Sequence, residues 1–502
     1  MSTYTYHKNK DGIIITGFEG TDDDVLEIPW EIEGIPVTAI GEEAFYRAGE
    51  AIEKIIVPDT VTRIYDNAFL AIPWMREIKL SENLVYLGEN IVDMSLVAKL
   101  SIPKTVKEIR CPWSYNWLQI QVAEENPYYI SIGEGLYEKR QDGLALAGVC
   151  RKKEISFYEV SPGTVAVLDN AFDENYYLKK ILLPTGLIEI GSFAFSGCDK
   201  LEDINLPEGL QRLGKEAFHS CQSLHRLHIP ASLVQLGREV LQETYNWNRH
   251  NPGICDVTIA KENPVFYIED GAVFQKGKEG KLTLLSYMKA KEESEERAVY
   301  QVPEGVTEIA PLAFLRSNLR CITLAESVDQ IGRSAFWGCE KLETVEIYRD
   351  KVVLYIPQKP VFRKNNITEG FYHVKPASSP KTDAAVHFDY GMYDDAFETY
   401  SYKDEQCLMA CCRLGYPVAL SKEKQASYVE WLCRYLEEIV VEICKNNNSK
   451  AIKAMLKVGV LNRENIDTVI ETMQQQEATE LLAFVMEEKQ TRFGNWEPDF
   501  SL

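Results

Sequence analysis

Several signals of common protein classes are missing from this chain of 502 residues. It has no apolar run long enough for a membrane-spanning helix, which needs about 18 residues or more. It also lacks a Gly-x-x-x-x-Gly-Lys phosphate loop, a Gly-x-Ser-x-Gly nucleophile elbow and a His-Glu-x-x-His metal motif. Lysine and arginine number 54 against 76 acidic residues, and this net charge of -22 argues against nucleic acid or an anionic membrane as partner.

Histidine is scarce, with 7 copies, and the best group of metal-ligating residue types is compact. It consists of His219, Cys221, His225 and His228. We expect Cys221 to point inward while His225 and His228 face solvent, so one metal ion could not collect all of them. The sequence therefore predicts no catalytic residue, no cofactor and no metal site, and it favours a non-enzymatic protein.

A secretion signal is also missing. Residues 1–11 have no basic start followed by an apolar stretch, and Ile13-Ile14-Ile15 is too short to serve as one. The 12 cysteines follow no paired spacing, which favours a reducing compartment over a disulfide framework. We expect a cytoplasmic protein, and a cell-surface location reached by an unconventional route is the alternative.

What the chain does contain is a phrase, Ile-Gly-x-x-Ala-Phe, that returns every 22 to 24 residues. Clear copies begin at Ile40, Ile64, Ile190, Leu213, Ile309 and Ile331. A fixed period of this length indicates a solenoid, in which each unit cannot bury its apolar face alone. Phe172, Phe195 and Phe218 stand 23 residues apart, so we expect their rings to stack as one aromatic column.

Each unit has a second half of the form Leu-x-x-Ile-x-Leu-Pro, as in residues 178–184 and 201–207. Alternating apolar positions indicate a half-buried strand, and the proline ends it by removing a hydrogen-bond donor. Stacked copies predict a parallel strand ladder over a continuous core of Ile, Leu, Ala and Phe. Cys198, Cys221 and Cys339 share one position after the Ala-Phe pair, and we expect them to be small core residues.

The combination Ile-Gly-x-x-Ala-Phe…Cys-x-x-Leu-x-x-Ile-x-Leu-Pro resembles the BspA-like leucine-rich repeat family over roughly residues 25–357. The resemblance implies a right-handed solenoid with a β-sheet on one face, and recognition of other macromolecules without a catalytic site. Some members are bacterial surface proteins that bind host proteins. Because the export signal is missing here, we predict an interaction scaffold first and a bacterial surface adhesin second. A self-assembling structural protein is a third possibility, since a parallel ladder has exposed edges.

Two interruptions, at about 111–163 and 243–305, break the period and resemble one another. Both contain Tyr-Asn-Trp, then Asn-Pro with aromatics, then a Gly turn before apolar alternation, a pattern typical of β-hairpins inserted into the solenoid. The two copies indicate duplication of a larger block. Their aromatics Tyr115, Trp117, Tyr245 and Trp247 are either part of its apolar skeleton or exposed anchors for a protein partner.

The pattern changes after residue 357, where the predicted repeat domain ends. Residues 358–392 contain Pro-Ala-Ser-Ser-Pro-Lys-Thr and read as a linker. From 393 to 494 the apolar period becomes helical, and Gly415 and Gly459 each close one helix before a polar turn and a further helix. This arrangement resembles ankyrin-type helix pairs, so we predict an all-α domain that serves as a second interaction module.

The open face of the predicted ladder supplies the candidate partner-binding residues. In each strand the residues that flank the inward Ile point outward, and this set is more basic than the chain as a whole. Such a ladder could steer an acidic protein partner, and an ordinary solvated face is the alternative. The candidates are Lys54, Lys79, Lys99, Lys180, Asn205, Arg226, His228 and Thr323, together with Tyr115, Trp117, Tyr245 and Trp247. The sequence leaves the identity of the partner and the oligomeric state open.

Overall fold

The computed structural model of the protein describes residues 3–20, 23–49, 51–110, 119–150, 155–241, 254–288, 299–332, 334–339, 341–347, 351–356, 390–399 and 402–494. The chain divides into two compact units, Met1–Ile268 and Glu269–Leu502. Strands fill the described part of the first unit, and the second unit contains strands followed by helices.

The first unit begins with a block of coils, residues 3–122, which we call the first block. Its strands are β1 (Thr3–Asn9), β2 (Gly12–Glu19), β3 (Val25–Glu27), β4 (Glu31–Ile32), β5 (Ile35–Ile40), β6 (Lys54–Ile56), β7 (Arg63–Ile64), β8 (Glu77–Lys79), β9 (Tyr86–Leu87), β10 (Lys99–Ile102), β11 (Glu108–Ile109) and β12 (Gln119–Val122). Each coil adds one strand to each of two sheet faces. On the first sheet face, β1, β2, β5, β7, β9 and β11 are hydrogen-bonded in that order. On the second sheet face, β3, β6 and β8 form one ladder, and β10 pairs with β12.

The register of these strands carries the apolar repeat positions directly into one core. Ile40 and Ile64 are parallel partners on the first sheet face, and both are fully buried. Leu26, Ile55 and Ile78 are successive partners on the second sheet face and are also buried. Because neighbouring side chains of a strand point to opposite sides, an apolar residue at every second position lines the interior while its neighbours face outward.

The Gly-x-x-Ala-Phe phrase forms the turn between the two sheet faces and builds a third hydrogen-bond ladder. The N–H of Phe45 donates to the carbonyl oxygen of Ala68 in the next coil, at 2.8 Å. The residue directly before the alanine lies in the left-handed region, as at Glu43 with φ 52° and Asn67 with φ 56°. Each turn therefore closes tightly and still bonds to its neighbour, so the coils are linked on all three sides.

Two repeat positions explain how closely the coils stack. The rings of Phe172 and Phe195 lie 4.9 Å apart and those of Phe195 and Phe218 lie 5.6 Å apart, so the predicted aromatic column is confirmed. The glycine of Ile-Gly is needed because a Cβ on Gly214 would lie 2.3 Å from the backbone carbon of Gly191. No side chain fits there, and the phrase keeps glycine where two backbones meet.

The first unit continues with a second block, residues 129–259, that restarts the same coil. Its strands are β13 (Tyr129–Ile132), β14 (Gly135–Lys139), β15 (Leu144–Val149), β16 (Phe157–Glu159), β17 (Thr164–Val167), β18 (Lys180–Leu182), β19 (Glu189–Ile190), β20 (Asp203–Ile204), β21 (Arg212–Leu213), β22 (Arg226–Ile229), β23 (Gln235–Leu236) and β24 (Asp256–Ile259). Strands β13, β14 and β15 are antiparallel, and β15 then pairs parallel with β17. A further strand, β25 (Phe266–Glu269), spans the division between the units.

Hairpin strands occupy the centre of the first predicted interruption, and ordinary coil strands lie on both sides of them. Strand β12 pairs parallel with β10, and β16 pairs parallel with β18. Both lie inside the range 111–163 that the lost phrase marks as an insertion. Strand pairing needs only alternation of side chains, so the coil continues where the phrase itself has degenerated.

Each Asn-Pro signal marks a buried asparagine that closes a turn. The Asn126 side-chain amide donates to the carbonyl oxygens of Pro103 (2.9 Å) and Val106 (3.0 Å) in the preceding coil. Its side-chain oxygen accepts from the backbone N–H groups two and three residues ahead. Asn263 makes the same four bonds one block later. The resemblance between the interruptions therefore reflects one repeated hydrogen-bonding unit.

The second unit contains a third block of coils, residues 272–355. Its strands are β26 (Ala272–Lys276), β27 (Leu282–Tyr287), β28 (Val299–Gln301), β29 (Val306–Ile309), β30 (Cys321–Leu324), β31 (Gln330–Ile331), β32 (Thr344–Ile347) and β33 (Val352–Tyr355), with a 3-10 turn at Lys278–Gly280. Strands β26 and β27 form an antiparallel hairpin, and β29 and β31 extend it in parallel. The second sheet face runs β28, β30, β32 and ends with the antiparallel strand β33.

Helices follow the third block within the second unit. They are α1 (Tyr390–Thr399), α2 (Lys403–Gly415), α3 (Lys422–Arg434), α4 (Leu436–Asn446), α5 (Ser449–Lys457), α6 (Ile466–Gln475) and α7 (Thr479–Phe493). Helix α2 packs on strand β33, and the Tyr393 hydroxyl donates to the carbonyl oxygen of Tyr355 at 2.9 Å. The predicted solenoid followed by an all-helical region is confirmed, with α1 starting inside the range read as a linker. Within the described residues, no helix combines the length and the apolar character needed to cross a bilayer.

A buried ion pair joins the helices α1 and α2. Arg413 donates from Nε and Nη2 to the two carboxylate oxygens of Asp394, at 2.7 and 3.1 Å. The Tyr428 hydroxyl of α3 donates to the same carboxylate at 2.7 Å. The remaining guanidinium nitrogen donates to the carbonyl oxygens of Tyr416 and Val418. Every strong donor of this buried arginine is thus placed, which is the condition for burying a charge at tolerable cost.

Candidate binding surfaces

The second sheet face of the first unit, which in the second block consists of β16, β18, β20, β22 and β24, carries most of the candidate residues. Three of the cations there are ion-paired across coils. Lys54 lies 2.7 Å from Glu77, and Lys180 lies 3.2 Å from Asp203. Arg226 on β22 lies 3.5 Å from Asp256 on β24. In each pair the acid occupies the register position directly opposite the cation on the neighbouring strand. Each of these cations therefore has an acid beside it that partly offsets its charge.

Two other candidates on this face keep their charge available. Lys79 and Lys99 lie on β8 and β10, both side chains are exposed, and the described residues contain no carboxylate within ion-pair distance of either amine. Asn205 is exposed beyond the end of β20. His228 is exposed, and its Nδ1 lies 2.8 Å from the Thr258 hydroxyl oxygen.

The outward positions of this face are electrically neutral as a set. They include five basic side chains, Lys54, Lys79, Lys99, Lys180 and Arg226, and five acidic ones, Glu27, Glu77, Glu159, Asp203 and Asp256. The sequence pattern predicts a more basic ladder because Glu27, Glu159 and Asp256 belong to strands that it does not identify. A neutral face still contrasts with a chain of net charge -22.

Thr323 is a correction to the predicted outward set. Its side chain is 7% exposed, and its hydroxyl lies 3.1 Å from a carboxylate oxygen of Glu346 on the neighbouring strand. Register alone places Thr323 on the outer side of its strand, but how much of it is exposed to solvent depends on tertiary packing. The candidates Tyr115, Trp117, Tyr245 and Trp247 lie outside the described residues, so their roles stay predictions.

The first sheet face of the first block carries a cluster of one arginine and two tyrosines that the repeat phrase does not predict. The guanidinium carbon of Arg63 lies 4.6 Å from the ring centroid of Tyr86 and 5.4 Å from that of Tyr65. Arg63 Nε also donates to the Tyr65 hydroxyl at 3.1 Å. Burial raises the pKa of Tyr86, with the nearby Asp66 carboxylate adding to the effect. The usable signal was Tyr65 itself, which stands where the repeat phrase has glycine.

Metal binding and thiol chemistry find no support in the described part of the chain. No group of three or more His, Cys, Asp or Glu side chains there could hold a metal ion. Cys198 and Cys221 are buried at their shared repeat position, and each thiol donates to the carbonyl oxygen of a column phenylalanine, Phe172 or Phe195. Burial raises the pKa of the Cys221 thiol, which therefore stays protonated and unreactive.

Three solved structures are similar to this chain over about two thirds of its length. A leucine-rich cell surface protein from Faecalibacterium prausnitzii is 19% identical, with a TM-score of 0.28, over 69% of this chain and 95% of that one. A leucine-rich repeat protein from Eubacterium ventriosum is 18% identical, with a TM-score of 0.41, over 67% of this chain and 95% of that one. A leucine-rich repeat protein from Bacteroides ovatus is 18% identical, with a TM-score of 0.34, over 68% and 92% of the two chains. None of the curated proteins compared with this chain matches it.

A family model settles the type of repeat. The model for the BspA type leucine-rich repeat region matches in 6 copies, at residues 35–121, 150–255 and 296–372. These ranges make up more than half of the chain and contain coils of all three blocks. The chain belongs to the BspA-type leucine-rich repeat family.

Proposed function

We propose that this protein is a non-enzymatic scaffold for protein–protein interaction. One observation carries the proposal: side chains at equivalent positions are apolar inside the coils and vary in charge and polarity outside. The inward partners on three successive strands are Leu26, Ile55 and Ile78, whereas Val25, Lys54 and Glu77 occupy the outward positions beside them. Such a framework lets the outer surface vary without cost to the core, which suits recognition of macromolecules.

The part of this surface best suited to a partner is formed by Lys79 and Lys99. They are exposed cations on neighbouring coils of a neutral face, and the rest of the chain is strongly acidic. Charge complementarity across an interface steers encounter and fixes register. We therefore expect the partner protein to present carboxylates to these two lysines. The helical region is a second candidate module, and it exposes the apolar side chains of Val429 on α3 and Met486 on α7.

Charge reversal on the full chain tests the proposal. The variant Lys79→Glu with Lys99→Glu should lower the yield of proteins captured from the source organism's soluble lysate severalfold, measured by quantitative mass spectrometry. The matched control is Lys180→Glu with Arg226→Glu, which changes the net charge equally at positions already paired with acids. The sequence alone also favours Lys180 and Arg226 as partner-binding residues. Because both are ion-paired with acids, we rank them below Lys79 and Lys99. Equal capture by both variants and the unmodified chain would contradict the proposed surface.

We also propose a cytoplasmic location. The thiols of Cys198 and Cys221 at the repeat position act as hydrogen-bond donors, a role that an oxidised sulfur cannot fill. A reducing compartment keeps them in this form. Protease treatment of intact cells should leave the protein uncut. Its removal by protease would instead support the adhesin alternative and a surface location.

A further inference from the structure

Strand β1 lies at one end of the first sheet face of the first block. Among the described residues, β1 pairs with β2 alone and is the outermost strand of its sheet. It is seven residues long, and its side chains are all exposed or half-buried. A strand of this length with an unpaired edge is a template for a further strand, and natural proteins normally cover such an edge.

The core beneath β1 is also incompletely covered. Tyr4, Tyr6 and Phe18 pack against the buried core of the first block while remaining partly exposed. The ring of Phe18 lies 5.2 Å from that of Tyr4 and 5.2 Å from that of Phe45, which in turn lies 5.2 Å from that of Phe69 in the next coil. An apolar end beside an open edge favours an occupant that adds both a strand and further side-chain cover.

The second block contains an internal counterpart of β1. Strands β14 and β15 form the same kind of antiparallel hairpin as β1 and β2, and in both cases the second strand then pairs parallel with the next coil. Each hairpin has one register shift, between Thr5 and Tyr6 in the first and between Leu136 and Tyr137 in the second. The shift aligns Thr5 with Leu136 and Tyr6 with Tyr137.

In the second block the edge that β1 leaves open is occupied. Strand β13 lies antiparallel on β14, with Ile130 opposite Tyr137 and Ser131 opposite Leu136. The occupant thus alternates apolar, hydroxyl and apolar side chains along Ile130, Ser131 and Ile132. Strand β1 has the same alternation in Tyr4, Thr5 and Tyr6, and this triplet reads the same in both directions.

We propose that β1 pairs antiparallel with β1 of a second copy of this protein. Thr5 faces Thr5 of the second copy on the twofold axis, and Tyr4 lies opposite Tyr6. This is the register that β13 adopts on β14, and it brings aromatic rings together in pairs that stabilise antiparallel sheets. A twofold contact of this kind closes on itself and yields a dimer. The inference is independent of the scaffold proposal, since it concerns a different strand and a different partner.

Sedimentation velocity on the full chain over a range of concentrations is the first test. The molar mass should double as concentration rises. Thr5→Lys should keep the protein monomeric, because two ammonium groups would meet on the axis, while the exposed Thr5 position lets the fold persist. Ser101→Lys, an equally exposed strand position on the second sheet face, is the matched control and should dimerise like the unmodified chain.

Disulfide trapping tests the register separately. Opposite residues of antiparallel strands have Cα atoms about 4.5–5.5 Å apart, within disulfide reach, so Thr5→Cys should give a covalent dimer on mild oxidation. Thr3→Cys is the control, because in this register the two copies of residue 3 lie about 13 Å apart. A monomer at every concentration would overturn the proposal. A dimer that Thr5→Lys leaves intact, or that Thr5→Cys crosslinks no better than Thr3→Cys, would overturn it as well.

Discussion

The repeat coils of the first unit and the helices of the second unit bury different kinds of residue. In the described coils of the first unit the large buried side chains are mostly aliphatic residues and phenylalanines, and backbone hydrogen bonds run from each coil to the next. The helices enclose charged groups: Arg413, Asp394, Asp404 and Glu405 are all buried. The coils are thus held by one contact repeated many times, and the helices by a few contacts that occur once.

The difference lies in how far apart in sequence the interacting residues stand. Column phenylalanines stand 23 residues apart, one coil, and each contact has equivalents above and below it. Asp394 and Arg413 come from two different helices, and Asp404 accepts hydrogen bonds from Asn446 at the end of α4 and from Asn448 just before α5. Damage to a coil should therefore spread along its neighbours, whereas damage to a helical contact should loosen one helix junction.

Phe195→Ala should have the largest effect. The ring is fully buried between two others in the column, so its loss should cost about 3–5 kcal/mol. Hydrogen exchange read by mass spectrometry should show faster exchange in the coils of both Phe172 and Phe218. Phe195→Leu, which fills most of the space, serves as the control. If hydrogen exchange in both neighbouring coils stayed as slow as in the unmodified protein, the stacked column would be contradicted.

Asp394→Ala should cost about 3 kcal/mol, because it leaves a buried guanidinium without its carboxylate. The cost falls at the low end since Arg413 keeps its bonds to Tyr416 and Val418. Faster exchange should appear in α1, α2 and α3 with little change in the coils of the first unit. The double variant Asp394→Leu with Arg413→Met removes both charges and should recover most of the loss. Failure of that recovery would show that the pair contributes more than charge compensation.

Gly214→Ala should cost about 1–3 kcal/mol, although it adds a single methyl group. That group would lie 2.3 Å from the Gly191 backbone, so two coils must separate. Gly186→Ala is the matched control, since a Cβ there meets nothing within 4 Å. Thermal unfolding followed by circular dichroism should show a lower midpoint for the first variant alone. Equal unfolding midpoints for the two variants would show that the two coils can accommodate the added methyl group without loss of stability.

Glu343→Gln should have the smallest effect, below about 1 kcal/mol, because its ion pairs are partly exposed. Burial raises the pKa of Glu343, but hydrogen bonds from Lys450 and Arg320 outweigh it and lower the pKa below the ordinary value of 4.5. A carboxyl whose pKa is lowered in the folded state stabilises the protein above its ordinary pKa. This stabilisation is lost as the pH falls through the folded-state pKa. The free energies of unfolding of wild type and variant should therefore converge below pH 4.5. A constant difference across that range would contradict the assignment.

Much of the coil structure could be predicted from the sequence, whereas less of the candidate surface could. The Phe column, the inward Ile and Leu positions and the outward set apart from Thr323 follow from a short period and side-chain alternation. The neutral charge of the second sheet face did not follow, because Asp256 lies on a strand that lacks the repeat phrase. The Arg63 cluster was missed for a similar reason, since Tyr65 breaks the phrase at its glycine.

The sequence by itself determined the class of fold, because every coil buries its apolar side chains with the same repeated pattern of residues. Repetition turns a local preference into a long-range structure, since each coil needs only a copy of itself beside it. Tertiary structure alone decided which cations remain free, since pairing depends on which strand becomes the neighbour. It also decided that Arg413 meets Asp394 and that Thr323 is covered. The ion pair of Arg413 and Asp394 joins two helices without a shared period, so no pattern in either helix specifies the other.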